Sequence, residues 1–102
     1  MSFDPMAVAI DWLDAYRSGD IEIILALYAD DAVVHYGCQR VTVTGKEALR
    51  AYWADRLRKY PASDLDNLQP SQDGTVISYV TASGMISAAL TFNTDGQIAA
   101  KT

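Results

Sequence analysis

From Gly74 to Lys101 the chain reads GTVISYVTASGMISAALTFNTDGQIAAK, and this stretch decides the fold class. Its runs 75–82, 85–92 and 97–101 are rich in Val, Ile, Thr and Tyr or in small residues that suit a pleated, half-buried surface. Ser83-Gly84 and Asn93-Thr94-Asp95-Gly96 separate the runs as turns. A further turn at Gln72-Asp73-Gly74 precedes them, and Leu65 to Gln69 ahead of it reads as a weaker strand. The C-terminal part is therefore a meander of strands.

Toward the N-terminus the period changes to helical. Between Pro5 and Ser18, Ala9, Trp12, Leu13 and Tyr16 share one face, and Asp4, Asp11, Asp14 and Ser18 share the other. Asp4 before Pro5 is a helix start, and Gly19 suits the C-terminal cap. Asp20 then opens a second helix, IEIILALYA, striped by Ile24, Leu27 and Tyr28 and ended by Asp30-Asp31. Ala32 to Tyr36 (AVVHY) reads as a strand and Val41 to Val43 as a short extended piece. Thr44 and Glu47 have the spacing of a capping box, predicting a third helix from Gly45 or Lys46. Leu49, Tyr52, Trp53, Leu57 and Tyr60 form its buried stripe, and Pro61 closes it. Helices followed by strands predict an α+β domain, with the helices on one sheet face.

Composition narrows the function. The 102 residues are half apolar and carry a net charge of −5, which fits one ordered domain over residues 1–102. An acidic chain starts behind on phosphate affinity, so no nucleic-acid partner is expected. Arg56, Arg58 and Lys59 sit in the last turn of the third helix, where cations complement the helix dipole. One cysteine, Cys38, excludes an internal disulfide, and one histidine, His35, leaves no cysteine or histidine metal cage. No metal or other cofactor is expected. Cys38 has no fixed cationic neighbour to make it a nucleophile. The opening residues MSFDPMAVAIDWLD lack a basic n-region, and no apolar run approaches the roughly 20 residues of a membrane span, so a cytoplasmic location is expected.

Four motifs in order carry a resemblance: Trp12-Leu-Asp-Ala-Tyr-Arg-Ser-Gly-Asp20, Leu27-Tyr-Ala-Asp-Asp-Ala32, Thr44-Gly-Lys-Glu-Ala-Leu49 and Phe92…Asp95-Gly-Gln-Ile98. Together they resemble the nuclear transport factor 2-like superfamily, in its SnoaL-like and ketosteroid-isomerase-like branch. The resemblance implies a cone-shaped, strongly curved mixed sheet wrapped around three N-terminal helices, a cystatin-like roll enclosing an apolar pocket. It also implies a homodimer joined through the outer sheet face. The chain is short for the family and its final strand is short, so a wall of the pocket is expected to be missing.

Laid on the ketosteroid isomerases, Trp12 stands where they have the oxyanion-hole tyrosine. Tyr36 stands in place of the catalytic base Asp, and Ala88 in place of the protonated Asp. The steroid-isomerase set is therefore absent. A phenol with an ordinary pKa of about 10 donates at neutral pH rather than acting as a base. His35 has the ordinary pKa of about 6.5 that suits proton transfer. Strand alternation nevertheless puts it on the face opposite Tyr36, toward the dimer seam or solvent; a one-residue slip reverses this.

Tyr36 and His35 are the candidate catalytic residues. Trp12, Tyr16, Tyr36 and Trp53, with Ile86, Ala88, Leu90 and Phe92, are the candidate pocket residues. The same aromatics also read as ordinary core at helical spacing. Two functions stay open: binding of a small hydrophobic molecule, or isomerase, cyclase or hydrolase chemistry using Tyr36, Tyr16 or His35. The outer phase Ser87, Ala89, Thr91 is small and uncharged, which suits a second copy packing there.

Overall fold

A computed structural model describes residues 4–36, 41–72 and 74–102. The side chain of Tyr36, together with Gly37, Cys38 and Asp73, lies outside the described residues.

Helix α1 spans Pro5–Ser18 and α2 spans Ile21–Ala26. The Asp4 carboxylate accepts the Met6 N–H at 3.0 Å, closing the start of α1. Gly19 adopts the left-handed conformation (φ 74°) that ends it, and its N–H reaches the Ala15 and Tyr16 carbonyls. Asp20 caps α2 through the Glu22 and Ile23 amides. α2 is shorter than the pattern predicts. Tyr28 to Asp31 belong instead to strand β1, Tyr28–Tyr36, because Tyr28 pairs in parallel with Ile98 and the Ile98 N–H donates to the Leu27 carbonyl at 2.8 Å. The helix period continues through LALYA, but sheet pairing overrides it.

Strand β2 is Val41–Thr44, and α3 is Lys46–Lys59. The predicted Thr44–Glu47 capping box does not form: Gly45 holds the N-cap position and no side chain bonds there. Strands β3 (Ala62–Pro70), β4 (Gly74–Thr81), β5 (Gly84–Phe92) and β6 (Ile98–Lys101) complete the chain. β3 extends beyond the weak strand expected at Leu65 to Gln69.

The six strands form one sheet in the order β2-β1-β6-β5-β4-β3. β1 and β6 run parallel and every other neighbouring pair antiparallel, so the sheet is mixed. Register shifts in the β1–β6, β5–β6 and β3–β4 pairs raise the local twist, and the sheet is curved. α1 lies against β3 and β4, α3 lies against β1 and β2, and α2 joins the helices.

The core between the layers is aromatic. Trp12, Tyr16, Tyr28, Trp53 and Tyr79 are all at most 1% exposed. Trp12 packs edge-on against Tyr16, Trp53 and Tyr79 with ring centroids 5.5–5.8 Å apart, and Tyr16 meets Trp53 at 4.8 Å. Edge-to-face pairs of this kind contribute about 0.5–1.5 kcal/mol each beyond area burial.

Candidate functional site

The expected pocket residues divide. Trp12, Tyr16 and Trp53 do converge, as members of the buried core between helices and sheet. Ala88 and Leu90 are likewise buried beneath them. The Trp12 indole N–H donates to the Tyr28 hydroxyl at 3.1 Å, which uses up the donor standing at the oxyanion position. Tyr16 donates to the Tyr60 carbonyl, and burial pushes its phenol up to about 12, only partly offset by the Arg56 charge. It holds α1 to the end of α3 and is not poised to take a proton. Phe92 faces a separate hollow of about 370 Å³ with Pro5, Met6 and Pro70.

His35 lies on the exposed side of β1, opposite the buried Ala32 and Val34, with Nδ1 3.2 Å from the Thr42 hydroxyl. Strand alternation sets that direction, and among the described residues its one hydrogen-bond partner is this neighbouring strand.

A half-open cleft of about 670 Å³ lies instead along the exposed flank of α3. Val43 from β2, Ala48 and Ala51 from α3, and Ile86 from β5 give it an apolar wall. Tyr52, Asp55, Arg56, Lys59 and Tyr60, all on or just beyond α3, give it a polar one. Ile86 alone among the expected pocket residues with described side chains reaches this cleft.

Tyr52, Arg56 and Tyr60 follow one another at intervals of four residues, so they stack along one side of the helix. The Arg56 guanidinium carbon stands 5.8 Å from the Tyr52 ring centroid and 5.4 Å from that of Tyr60, within cation–π range. One Arg56 terminal nitrogen is 3.5 Å from the Tyr79 hydroxyl, while its Nε is buried without a hydrogen-bond partner. Burial works against the guanidinium, but the phenols of Tyr52, Tyr79 and Tyr16 outweigh it, and its pKa is held above the ordinary value.

Beneath Tyr52 sits Lys101, 4% exposed, with Nζ 3.5 Å from the Tyr52 hydroxyl and 5.9 Å from its ring centroid. Burial first, and the Arg56 charge second, push its ammonium down to about 7. A row of paired residues, Val43–Val34–Lys101–Leu90–Thr75, runs across the sheet and places Lys101 at its middle on the inner face.

Sequence reasoning missed Lys101 and favoured the helix dipole as the role of Arg56. Counting in twos from the buried Ile98 puts Ala100 inside and Lys101 outside. The register with β5 slips by one between Phe92↔Ile98 and Thr91↔Ala100, leaving Ala99 as the extra residue. That bulge turns Lys101 inward. Nothing in QIAAK signals it. The Tyr52, Arg56, Tyr60 spacing, in contrast, was visible.

Among the described residues, no group of three His, Cys, Asp or Glu side chains converges to hold a metal ion. No helix among them is long and apolar enough to cross a membrane.

The sequence signature of the SnoaL-like domain matches residues 9–100. No curated protein sequence matches the chain. Among solved structures, it is similar to a SnoaL-like protein of unknown function from Burkholderia thailandensis, with TM-score 0.82, 24% identity, and 91% of this chain and 86% of that one covered. It is similar to SalBIII, an epoxide hydrolase/cyclase-like enzyme in pyran ring formation in the polyether salinomycin, with TM-score 0.80, 15% identity, and 95% and 86% covered. A candidate polyketide cyclase from Sinorhizobium meliloti superposes with TM-score 0.81 at 20% identity, covering 97% of both chains. At these identities the likenesses carry the fold alone. With the signature spanning nearly its whole length, the chain belongs to the SnoaL-like domain family, within the nuclear transport factor 2-like superfamily.

Proposed function

We propose that this protein binds a small hydrophobic molecule in the cleft along α3, without steroid-isomerase chemistry. The observation that carries this reading is the cleft itself. Its volume of about 670 Å³ falls in the range of small-molecule sites, and its lining combines an apolar wall with a few convergent polar groups. Proton transfer by Tyr16 or His35 is the weaker reading. Tyr16 is committed to the Tyr60 carbonyl, and His35 lies on the exposed side of β1, away from the cleft. A thermal-shift screen with apolar lactones, steroids and terpenoids tests the proposal. A stabilising shift abolished by Ala51→Trp, which fills the cleft from an exposed helix position, supports it; no shift with any compound sinks it.

The working unit in this reading is a homodimer formed through the outer sheet face. Support comes from Val76, Ser78, Ala89, Thr91 and Ala100, a set of small uncharged residues on β4, β5 and β6, on the face opposite the helices among the described residues.

A further inference from the structure

Among the described residues, most cations of this acidic chain have a carboxylate or carbonyl partner. Arg17 pairs with Asp14 at 3.7 Å, and Arg50 with Glu22 at 2.5 Å. Arg58 and Lys59 share Asp55 at 2.8 and 3.3 Å. Lys46 donates to the Tyr28 carbonyl at 2.9 Å and to that of Leu25. Arg56 and Lys101 are different. Among the described residues neither has a carboxylate or carbonyl partner, and both are drawn away from solvent at one place.

A buried cation without a counter-charge is costly, and folding alone gives no reason to place two together. Lysine answers that cost by losing its proton; arginine does not, because its guanidinium stays charged. The Arg56 Nε is a donor aimed at nothing, and the guanidinium borders the cleft between two tyrosine rings. Asp55 shares the cleft wall, but its carboxylate is taken by Arg58 and Lys59.

We propose that the ligand of this cleft is a small apolar molecule bearing a single oxyanion, held by the Arg56 guanidinium, with Lys101 adding positive charge from beneath Tyr52. The inference rests on the reading of the cleft as a small-molecule site and adds the charge of the occupant. The apolar body lies against Val43, Ala51 and Ile86, and the oxyanion meets the edge of the guanidinium that borders the cleft, Nε itself being buried. The groups that face Lys101 are Tyr52 and Arg56 from α3; its partners on the flanking strands, Val34 and Leu90, are apolar. A bound anion favours the ammonium form of Lys101, so binding takes up a proton near neutral pH.

Calorimetric titration of the full chain with 1-naphthoate and with the neutral, near-isosteric 1-naphthamide tests this. The expected result is naphthoate binding about tenfold or more tighter than naphthamide, as charge-assisted hydrogen bonds imply. Arg56→Leu removes that preference, so that the two compounds bind with similar affinity. Between pH 6.5 and 8.5 naphthoate affinity falls for the wild type and stays level for Lys101→Met. Equal binding of the two compounds by the wild type overturns the oxyanion and leaves the cleft reading standing. Binding of neither overturns both.

Discussion

The Lys101 Nζ stands 3.5 Å from the Tyr52 hydroxyl in the interior of the protein, and no carboxylate meets it among the described residues. The amine of a strand that reads as surface is thus tied to the helix that borders the cleft. Stability and ligand charge become linked through one residue.

The first consequence is a pH dependence of folding. The Lys101 pKa is pushed down to about 7 in the folded chain, against 10.5 for an unburied lysine. Between those values the unfolded chain holds the proton and the folded chain does not, so stability rises with pH across about 7 to 10. The slope approaches about 1.4 kcal/mol per pH unit at most. Above about pH 10 the sign reverses, because burial raises the pKa of Tyr16, Tyr28 and Tyr79 and the unfolded chain then loses phenolic protons first. Urea midpoints at pH 7, 9 and 11 check this, with the highest expected near pH 9. A flat profile from 7 to 9 rejects the depressed lysine.

Replacing the amine should stabilise the fold. Lys101→Met keeps the length of the chain and removes a buried charge, with an expected gain of about 1–3 kcal/mol at pH 6 by urea unfolding. The gain shrinks at pH 9, where the wild-type amine is already neutral. A loss of stability at pH 6 means that the ammonium has a partner that holds it.

The sheet–helix frame was legible in the sequence because its signals are local. Asp4, Gly19 and Asp20 act at the helix ends where their chemistry predicts, and Leu49, Tyr52 and Trp53 are buried at the predicted spacing. The family motifs added the curved roll, which no local pattern specifies. What stayed hidden depends on pairing between distant strands. Tyr28 leaves the helical pattern because Ile98, seventy residues away, pairs with it. Lys101 turns inward because Ala99 is extra in the β5–β6 ladder. Spacing likewise puts Trp12 and Trp53 on the buried face but does not give the cleft beside α3.

The aromatic cluster carries much of the fold. Trp53 is fully buried and meets Trp12, Tyr16, Tyr28 and Tyr52 with its ring. Trp53→Ala is expected to cost about 3–5 kcal/mol through lost contacts and the cavity left behind. Trp12→Phe is milder, at about 1–3 kcal/mol, since it mainly leaves the buried Tyr28 hydroxyl without its indole donor. Denaturant unfolding should rank the two in that order. The reverse order contradicts the packing described.

Gly74 offers a test of the β4–β5 ladder. A methyl group added there lies 1.9 Å from the Leu90 carbonyl oxygen, a backbone atom that cannot move without the strand. Gly74→Ala should therefore destabilise by about 1–3 kcal/mol or more, although an exchange of glycine for alanine at an unstrained site usually helps. The damage has a functional reading too, because Leu90 pairs on its other side with Lys101. A displaced Leu90 shifts the lysine, so the variant should also lose the rise in stability between pH 7 and 9. Destabilisation with the pH profile intact would separate the strand clash from the lysine and disprove that link.

The dimer proposal is tested on the outer face. Ala89 is half-buried on β5 and pairs with Val76, within the small uncharged patch. A carboxylate there meets its own copy across a two-fold interface, and the repulsion and desolvation act twice. Sedimentation equilibrium of the wild type at micromolar concentration should give twice the chain mass. Ala89→Glu should give the monomer mass with an unchanged circular dichroism spectrum. The cleft along α3 lies on the opposite side of the sheet, so this variant should bind a cleft ligand as the wild type does. A wild type that stays monomeric up to the highest soluble concentration removes the dimer and leaves the cleft untouched.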